Sequence, residues 1–297
     1  MTRFIGAHTI DNGGIHMAAK RAGNGGMRAL QVFTAIPKYY GEKVGVKPER
    51  AERFREALEG AKISGAHVVS HAAYVLNTAS PDDAKWPRAR DGLTKELERS
   101  VTLGIGSVCF HPGAATDGDR EAAAERVGAA ITFALEKIPG DTRLLIENTA
   151  GAGNTYARTA AEVANALKHV PKKLRARTGY GLDTCHLHAS GYDLTSSPAA
   201  LKAVLDEFEE ATGEAPGFLH LNDSEGACAS NVDRHRLIGE GTIGPDTFKW
   251  LMHDARSANI PLILETPQLD YEIGEDDDAP DPYDLQMFAL LSGFVTA

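Results

Sequence analysis

The segment NVDRHRLIGEG places Asp233 and His235 two residues apart. In extended backbone, side chains at that spacing share one side, so a carboxylate and an imidazole would face one point together. Alone, such a pair reads as an exposed polar turn, and it becomes chemistry only if other groups converge on it. Parity along several apolar runs supplies those groups. In SVCFHPG, Val108 and Phe110 share one side while Cys109 and His111 share the other. RLLIENT sets Glu147 opposite Leu144 and Ile146, GFLHLND sets His220 opposite Leu219 and Leu221, and PLILETP sets Glu265 opposite Leu262 and Leu264. His71 in HVVSHAAY and Asp183 in GYGLDTCH end similar runs, and His186 follows where the chain should turn into its loop. So many carboxylates and imidazoles in one place would be destabilised by desolvation and like-charge repulsion unless cations joined them. Nitrogen and oxygen donors suit zinc, manganese or iron. Cys109, Cys185 and Cys228 share neither a face nor a spacing that suggests thiolate ligation.

The elements that must position these groups alternate regularly. Short apolar runs read as strands: RFIGAH, ALQVF, HVVSHA, SVCFH, RLLIEN, GYGLDT, GFLHLN and PLILET. Stretches of helical periodicity follow them, such as ERAERFREALEGA, DREAAAERVGAAITFALEKI, TAAEVANALKHV, PAALKAVLDEFEEA and PDTFKWLMHDA. A βα repeat of that count predicts an α/β fold, a single (β/α)8 TIM barrel over residues 1–297. Its functional face is the C-terminal end of the strands, with ionisable residues projecting into the mouth and large apolar ones packing on the helices. The length of 297 residues and the hydrophobic share of 42% suit one such barrel. No apolar run approaches the roughly 20 residues needed to cross a bilayer, and MTRFIGAHTI lacks a signal-peptide pattern. Three scattered cysteines predict a reduced, cytoplasmic protein without a disulfide framework. The net charge of −10 argues against broad adhesion to nucleic acid, while leaving room for a local positive site. EIGEDDDAPDPYD, after the last strand, predicts an exposed, mobile loop.

With these motifs in place, the chain resembles endonuclease IV, the zinc-dependent apurinic/apyrimidinic endonucleases with a TIM-barrel fold. The resemblance runs from IGAHTIDNGG to LILETP, most specifically through FHPGA, IENTAGAGNT, LDTCHLHASGYDL and HLNDSEGACASNVDRHRLIGEG. It implies three zinc ions per chain, with manganese or iron able to replace part of the zinc. His71, His111 and Glu147 would hold the first. Glu147 would bridge to a second, completed by Asp183, His220 and Glu265. His186, Asp233 and His235 would hold the third, with His111, Glu147 and Glu265 at the catalytic centre. Three divalent ions against four carboxylates leave a net charge of about +2, which attracts a phosphodiester. The resemblance further implies a monomer, without membrane association, that acts on DNA containing abasic sites. It would cut 5′ to the lesion and leave a 3′-hydroxyl. HAAY supplies Tyr74 to fill space left by an extruded nucleotide, and TAIPK keeps Lys38 as a DNA contact. Ala35 and Ile36 stand where the family has lysine and asparagine, and Glu225 where it commonly has lysine. With the acidic loop, these differences remove phosphate-binding charge from the DNA face.

Two other readings compete. Sugar isomerases and epimerases share the barrel and use strand-end ligands around one or two metals, without need of the set His186, Asp233 and His235. A non-catalytic lesion-binding descendant would not need to keep the complete donor set. Elsewhere, His8 either supports the site from behind or fills the barrel, and His188 is read as a surface or supporting residue. Gly151 and Gly153 let the loop bend away from Glu147.

Overall fold

The computed structural model describes residues 2–35, 45–269 and 272–296. Eight parallel strands close a barrel: β1 (Phe4–Ala7), β2 (Ala29–Phe33), β3 (Val68–His71), β4 (Ser107–Phe110), β5 (Arg143–Glu147), β6 (Thr178–Asp183), β7 (Leu219–His220) and β10 (Pro261–Leu264). Each pairs with its sequence neighbour, and β10 closes on β1 with Ala7 opposite Leu264. All eight runs read as strands from the sequence are barrel strands.

Parity divides their side chains as anticipated. Val108, Phe110, Leu144, Ile146, Leu219, Leu262 and Leu264 join the large core under the helices. Ala29, Val69, Cys109, Leu145, Phe218 and Ile263 form a separate, smaller core inside the barrel. Phe218 can pack in this inner core because β6 offers no side chain at Gly181, where a Cβ would sit 2.1 Å from its ring. This apolar plug is the floor on which the polar mouth rests.

Helices cover the outside, begun by local signals in the sequence. Asp119 caps α4 (Arg120–Lys137), and Ser197 caps α7 (Pro198–Thr212), whose Pro198 supplies a preset φ at the first turn. Two features interrupt the simple repeat. A short helix, α6 (Thr184–Ser190), starts directly after β6, and a two-stranded antiparallel ladder, β8 (Asp223–Ser224) with β9 (His235–Arg236), precedes α8 (Pro245–His253). The acidic segment after β10 is largely exposed over residues 272–279, as expected, but it is pinned through its backbone. Asp281 and Asp284 at its end are buried, against that expectation, where the chain enters a helix. Buried Arg21 donates to the carbonyls of Gly274 and Asp277, and also to those of Ile10 and Asn12. The composition of that loop carries no sign of this anchor, because Arg21 and Gly274 are 253 residues apart. Among the described residues, no helix is long and apolar enough to cross a membrane.

Candidate metal centre

The ionisable strand ends meet at the C-terminal mouth of the barrel. His71 ends β3, Glu147 ends β5, Asp183 ends β6 and His220 ends β7, while His111 and Glu265 directly follow β4 and β10. In register, Glu147 lies opposite Gly181 and Asp183 opposite His220. His186 is in α6 rather than in a loop. The carboxylate of Asp183 accepts from the His186 backbone N–H at 2.8 Å and caps that helix, so the chain turns helical at once. Asp233 and His235 arrive from outside the barrel strands, on the segment that forms β9.

Glu147 is fully buried at the centre, and its two oxygens face different partners. Oε2 lies 3.2 Å from Nε2 of His71 and 3.1 Å from Nε2 of His111. Oε1 lies 2.9 Å from Nδ1 of His220, which is also 3.2 Å from Oε2 of Glu265 and 3.8 Å from Oδ2 of Asp183. In the third group, Asp233 places one oxygen 3.3 Å from Nε2 of His186 and the other 3.3 Å from Nε2 of His235. Asp183 also reaches this group, with Oδ2 3.8 Å from Nε2 of His235. The donor atoms of His71, His111 and Glu147 all lie within 4.8 Å of one another, as do those of Glu147, Asp183, His220 and Glu265. His186 and His235 share such a grouping with Asp183, and His235 and Asp233 share one with Cys185.

The imidazoles are oriented from behind. Nδ1 of His71 is 2.7 Å from the Ala72 carbonyl, that of His186 2.8 Å from the Asn148 carbonyl, and that of His235 3.1 Å from the Glu265 carbonyl. A carbonyl only accepts, so each Nδ1 carries hydrogen and each Nε2 turns a lone pair to the centre when the ring is neutral. Nε2 of His111, Oε2 of Glu147 and Nε2 of His235 are buried without a hydrogen-bond partner among the described residues. Groups of this kind are costly to bury unless something binds them. Divalent cations fit this donor set of nitrogens and oxygens, in which those three atoms are left without a partner.

Electrostatics favours the same occupant. Burial by itself would drive protons off His220 and His235, yet Glu265 and Glu147 beside the first, and Asp233 and Asp183 beside the second, hold both up at about 9. Burial also opposes ionisation of Glu147, but His220 and His111 hold its carboxyl well below the usual carboxylate range. His186 and His235 do the same for Asp233 against the same opposing effect of burial. The carboxylates demand positive charge, supplied by protons on the imidazoles or by metal ions.

Above the centre opens a cavity of about 410 Å³, bordered by Tyr74, Arg234, Thr266 and Pro267 as well as by six of the donors, with Glu147, Asp183 and His220 beneath them. Tyr74 is 53% exposed and its ring stands 4.9 Å from that of His71 and 5.6 Å from that of Phe33, so an aromatic wall borders the mouth. Lys38 and Ile36 lie outside the described residues. Glu225 is paired with Arg236 at 2.9 Å, so its charge is partly neutralised. His8 does support the site: its Nδ1 is 3.1 Å from the Gln31 amide nitrogen and 3.9 Å from Glu265. His188 is buried and bonds Thr242, so it is no surface residue. Gly151 and Gly153 have φ of 87° and 56°, the left-handed region that lets the loop leave Glu147.

Three contributors carry no strong signal in the sequence. Asn222 donates to Asp183 at 2.6 Å and accepts from the Glu265 backbone N–H at 2.8 Å. Gln31 projects inward from β2, a strand with no ionisable residue, and Arg234 adds a cation at the rim. Inward parity with Ala29 is the clue to Gln31, and the motif DRH is the clue to Arg234.

Comparison with known proteins agrees with this geometry. The family described as xylose isomerase-like TIM barrel matches residues 18–285. A curated relative, probable endonuclease 4 of Trichlorobacter lovleyi, is 35% identical over 294 residues, covering 98% of this chain and all of the relative. The chain belongs to the endonuclease IV family. The crystal structure of endonuclease IV from Thermus thermophilus superposes with a TM-score of 0.80 at 28% identity, covering 99% of each chain. A 3-keto-D-glucoside 4-epimerase from E. coli has the same barrel at 13% identity and a TM-score of 0.65, covering 98% of this chain and all of its own. That likeness is one of fold alone. The family, the barrel and the endonuclease class anticipated from the motifs are therefore borne out.

Proposed function

We propose that this chain hydrolyses the phosphodiester bond 5′ to abasic sites in DNA, with three zinc ions held by the nine mouth residues. His71, His111 and Glu147 hold the first ion, Glu147, Asp183, His220 and Glu265 the second, and His186, Asp233 and His235 the third. The observation that carries the reading is the convergence of the third group, His186 from α6 with Asp233 and His235 from the segment of β9, beside two groups that already share Glu147. An epimerase working on one or two metals has no need of it.

When bound, such ions supply positive charge beside the scissile phosphate and acidify an attacking water. The chain's own residues do the rest. Glu147 ties the first two groups through its separate oxygens, which fixes their spacing. Backbone carbonyls hold His71, His186 and His235 so that they need not reorganise as charge develops. Tyr74 stands exposed at the rim and supplies an aromatic face for the gap in the base stack. Arg234 and, from the sequence, Lys38 supply cations for the backbone. All nine donors come from one chain, so a monomer suffices, and the three free thiols suit a reducing cytoplasm.

The test is incision of a duplex carrying one abasic site, without added magnesium. Cleavage on the 5′ side, abolished by strong chelators, is the expected result. Ketose epimerisation with no incision would transfer the case to the sugar enzymes of the same barrel.

A further inference from the structure

Gln31 is a neutral residue set deep in an ionic site. It is fully buried on β2, in line with the inward Ala29, and beside Val69 of β3 in register. Its side-chain nitrogen lies 2.5 Å from Oε1 of Glu265, and its oxygen lies 2.7 Å from Nε2 of His220. The direction of these bonds follows from chemistry. An ionised carboxylate only accepts, so the –NH2 end of Gln31 must face Glu265. The carbonyl end then faces His220, and the nitrogen it meets must carry hydrogen. That leaves Nδ1 of His220 pointing at Glu147, Glu265 and Asp183. In the neutral ring that nitrogen is bare, and the carboxylate oxygens repel it unless a cation stands between them.

His220 is thus held in the opposite sense to its neighbours. His71, His186 and His235 bond backbone carbonyls through Nδ1 and present Nε2. His220 bonds a side chain through Nε2 and presents Nδ1. A backbone carbonyl cannot be removed by mutation, whereas an amide side chain can.

We infer that Gln31 is a positioning residue: it fixes which ring nitrogen of His220 faces the carboxylates, and it orients Glu265 for the same ion. The inference rests on the metal reading proposed above. His8 stands behind it, with Nδ1 3.1 Å from the same amide nitrogen. Removing a partner that orients a metal-ligating histidine commonly costs about 10–100-fold in metal affinity. The loss should fall on the second ion, to which both His220 and Glu265 belong.

Two variants test this in the full chain. Gln31→Leu keeps the approximate size and removes both hydrogen bonds. Gln31→Glu restores an acceptor for His220 but opposes Glu265. Zinc content and affinity would be measured by competition with a chromophoric chelator, together with thermal unfolding of the metal-free protein. The expected result is that Gln31→Leu weakens one zinc about 10–100-fold, leaves the others unmoved, and barely changes metal-free unfolding. Gln31→Glu should bind that zinc more tightly than Gln31→Leu. Parent-like zinc affinity in Gln31→Leu would overturn the inference. So would uniform weakening of every ion alongside a less stable metal-free fold, since that is a packing effect. A parent chain that binds no zinc would instead refute the metal reading itself.

Discussion

Asp223 is the residue whose replacement should separate the third group from the rest of the site. It is fully buried at the start of the β8–β9 ladder. Its Oδ1 accepts from the backbone N–H of Ser224 at 2.8 Å and Ile243 at 2.9 Å. Its Oδ2 accepts from Gly239 at 2.9 Å, and from Gly241 and Gly244 at 3.2 Å. One carboxylate thus gathers the segment that follows His235, and Gly241 approaches so closely that a Cβ there would sit 2.4 Å from Oδ1. In Asp223→Asn, one oxygen can still accept from Ser224 and Ile243. The –NH2 end then meets the Gly239 and Gly241 donors, and both lose their acceptor, whereas Gly244 also lies 3.4 Å from the other oxygen and can keep it. Gly239 is exposed and Gly241 half-buried, so water takes over part of the loss. Each amide then costs about 1 kcal/mol, the low end of the range for an unsatisfied group, or about 2 kcal/mol for the pair. The cost should appear first as local opening around residues 235–244, because the barrel does not depend on these bonds. Hydrogen exchange should show early loss of protection there, and zinc content should fall by one ion. Denaturant unfolding of the metal-free protein measures the global part. A loss below about 1 kcal/mol, with protection unchanged at Gly239 and Gly241, would refute the reasoning.

Replacing Asp233 and His235 together with Ala should remove one zinc, leave the barrel folded, and lower single-turnover incision by about 10²–10³; parent-like incision after loss of the metal would make that group structural. Burial, with Asp281 nearby, pushes the Asp284 carboxyl up to about 7, well above its ordinary value of 3.8. The folded state therefore holds that proton more tightly than the unfolded chain. Its contribution to stability is full below the ordinary value and is lost as pH rises through about 7. Asp284→Asn should raise the melting temperature at pH 8 and leave it nearly unchanged at pH 4; an equal effect at both would disprove the assignment. Changing Asp276, Asp277 and Asp278 to Asn should tighten duplex binding at low salt and do little near 1 M, where the Debye length is about 3 Å. The loop should keep its shape, since Arg21 and Asn24 hold it by backbone carbonyls. Unchanged affinity at every ionic strength would place the loop away from the substrate.

Most of the fold is legible in the sequence because a parallel barrel repeats one local rule. Strand runs such as SVCFH and RLLIEN are buried on both faces, and their parity separates the helix-facing Val108 and Ile146 from the inward Cys109 and Glu147. The donors at strand ends inherit that parity, so His71, His111, Glu147, Asp183, His220 and Glu265 can be placed together without any distance. What escapes depends on contacts between distant segments. Gln31 is neutral, and its inward parity with Ala29 points to no chemistry until His220 and Glu265 stand beside it. Arg21 looks like an ordinary helix cation, but its partner Gly274 lies 253 residues further on. The early start of α6 follows from its cap, Asp183, a residue that parity marks only as a donor to the mouth.

The central claim is a three-ion centre built by nine residues of one chain, and elemental analysis of the gently purified protein tests it most directly. Close to three metals per chain, mostly zinc, is the predicted result. One metal per chain, or none, would contradict it.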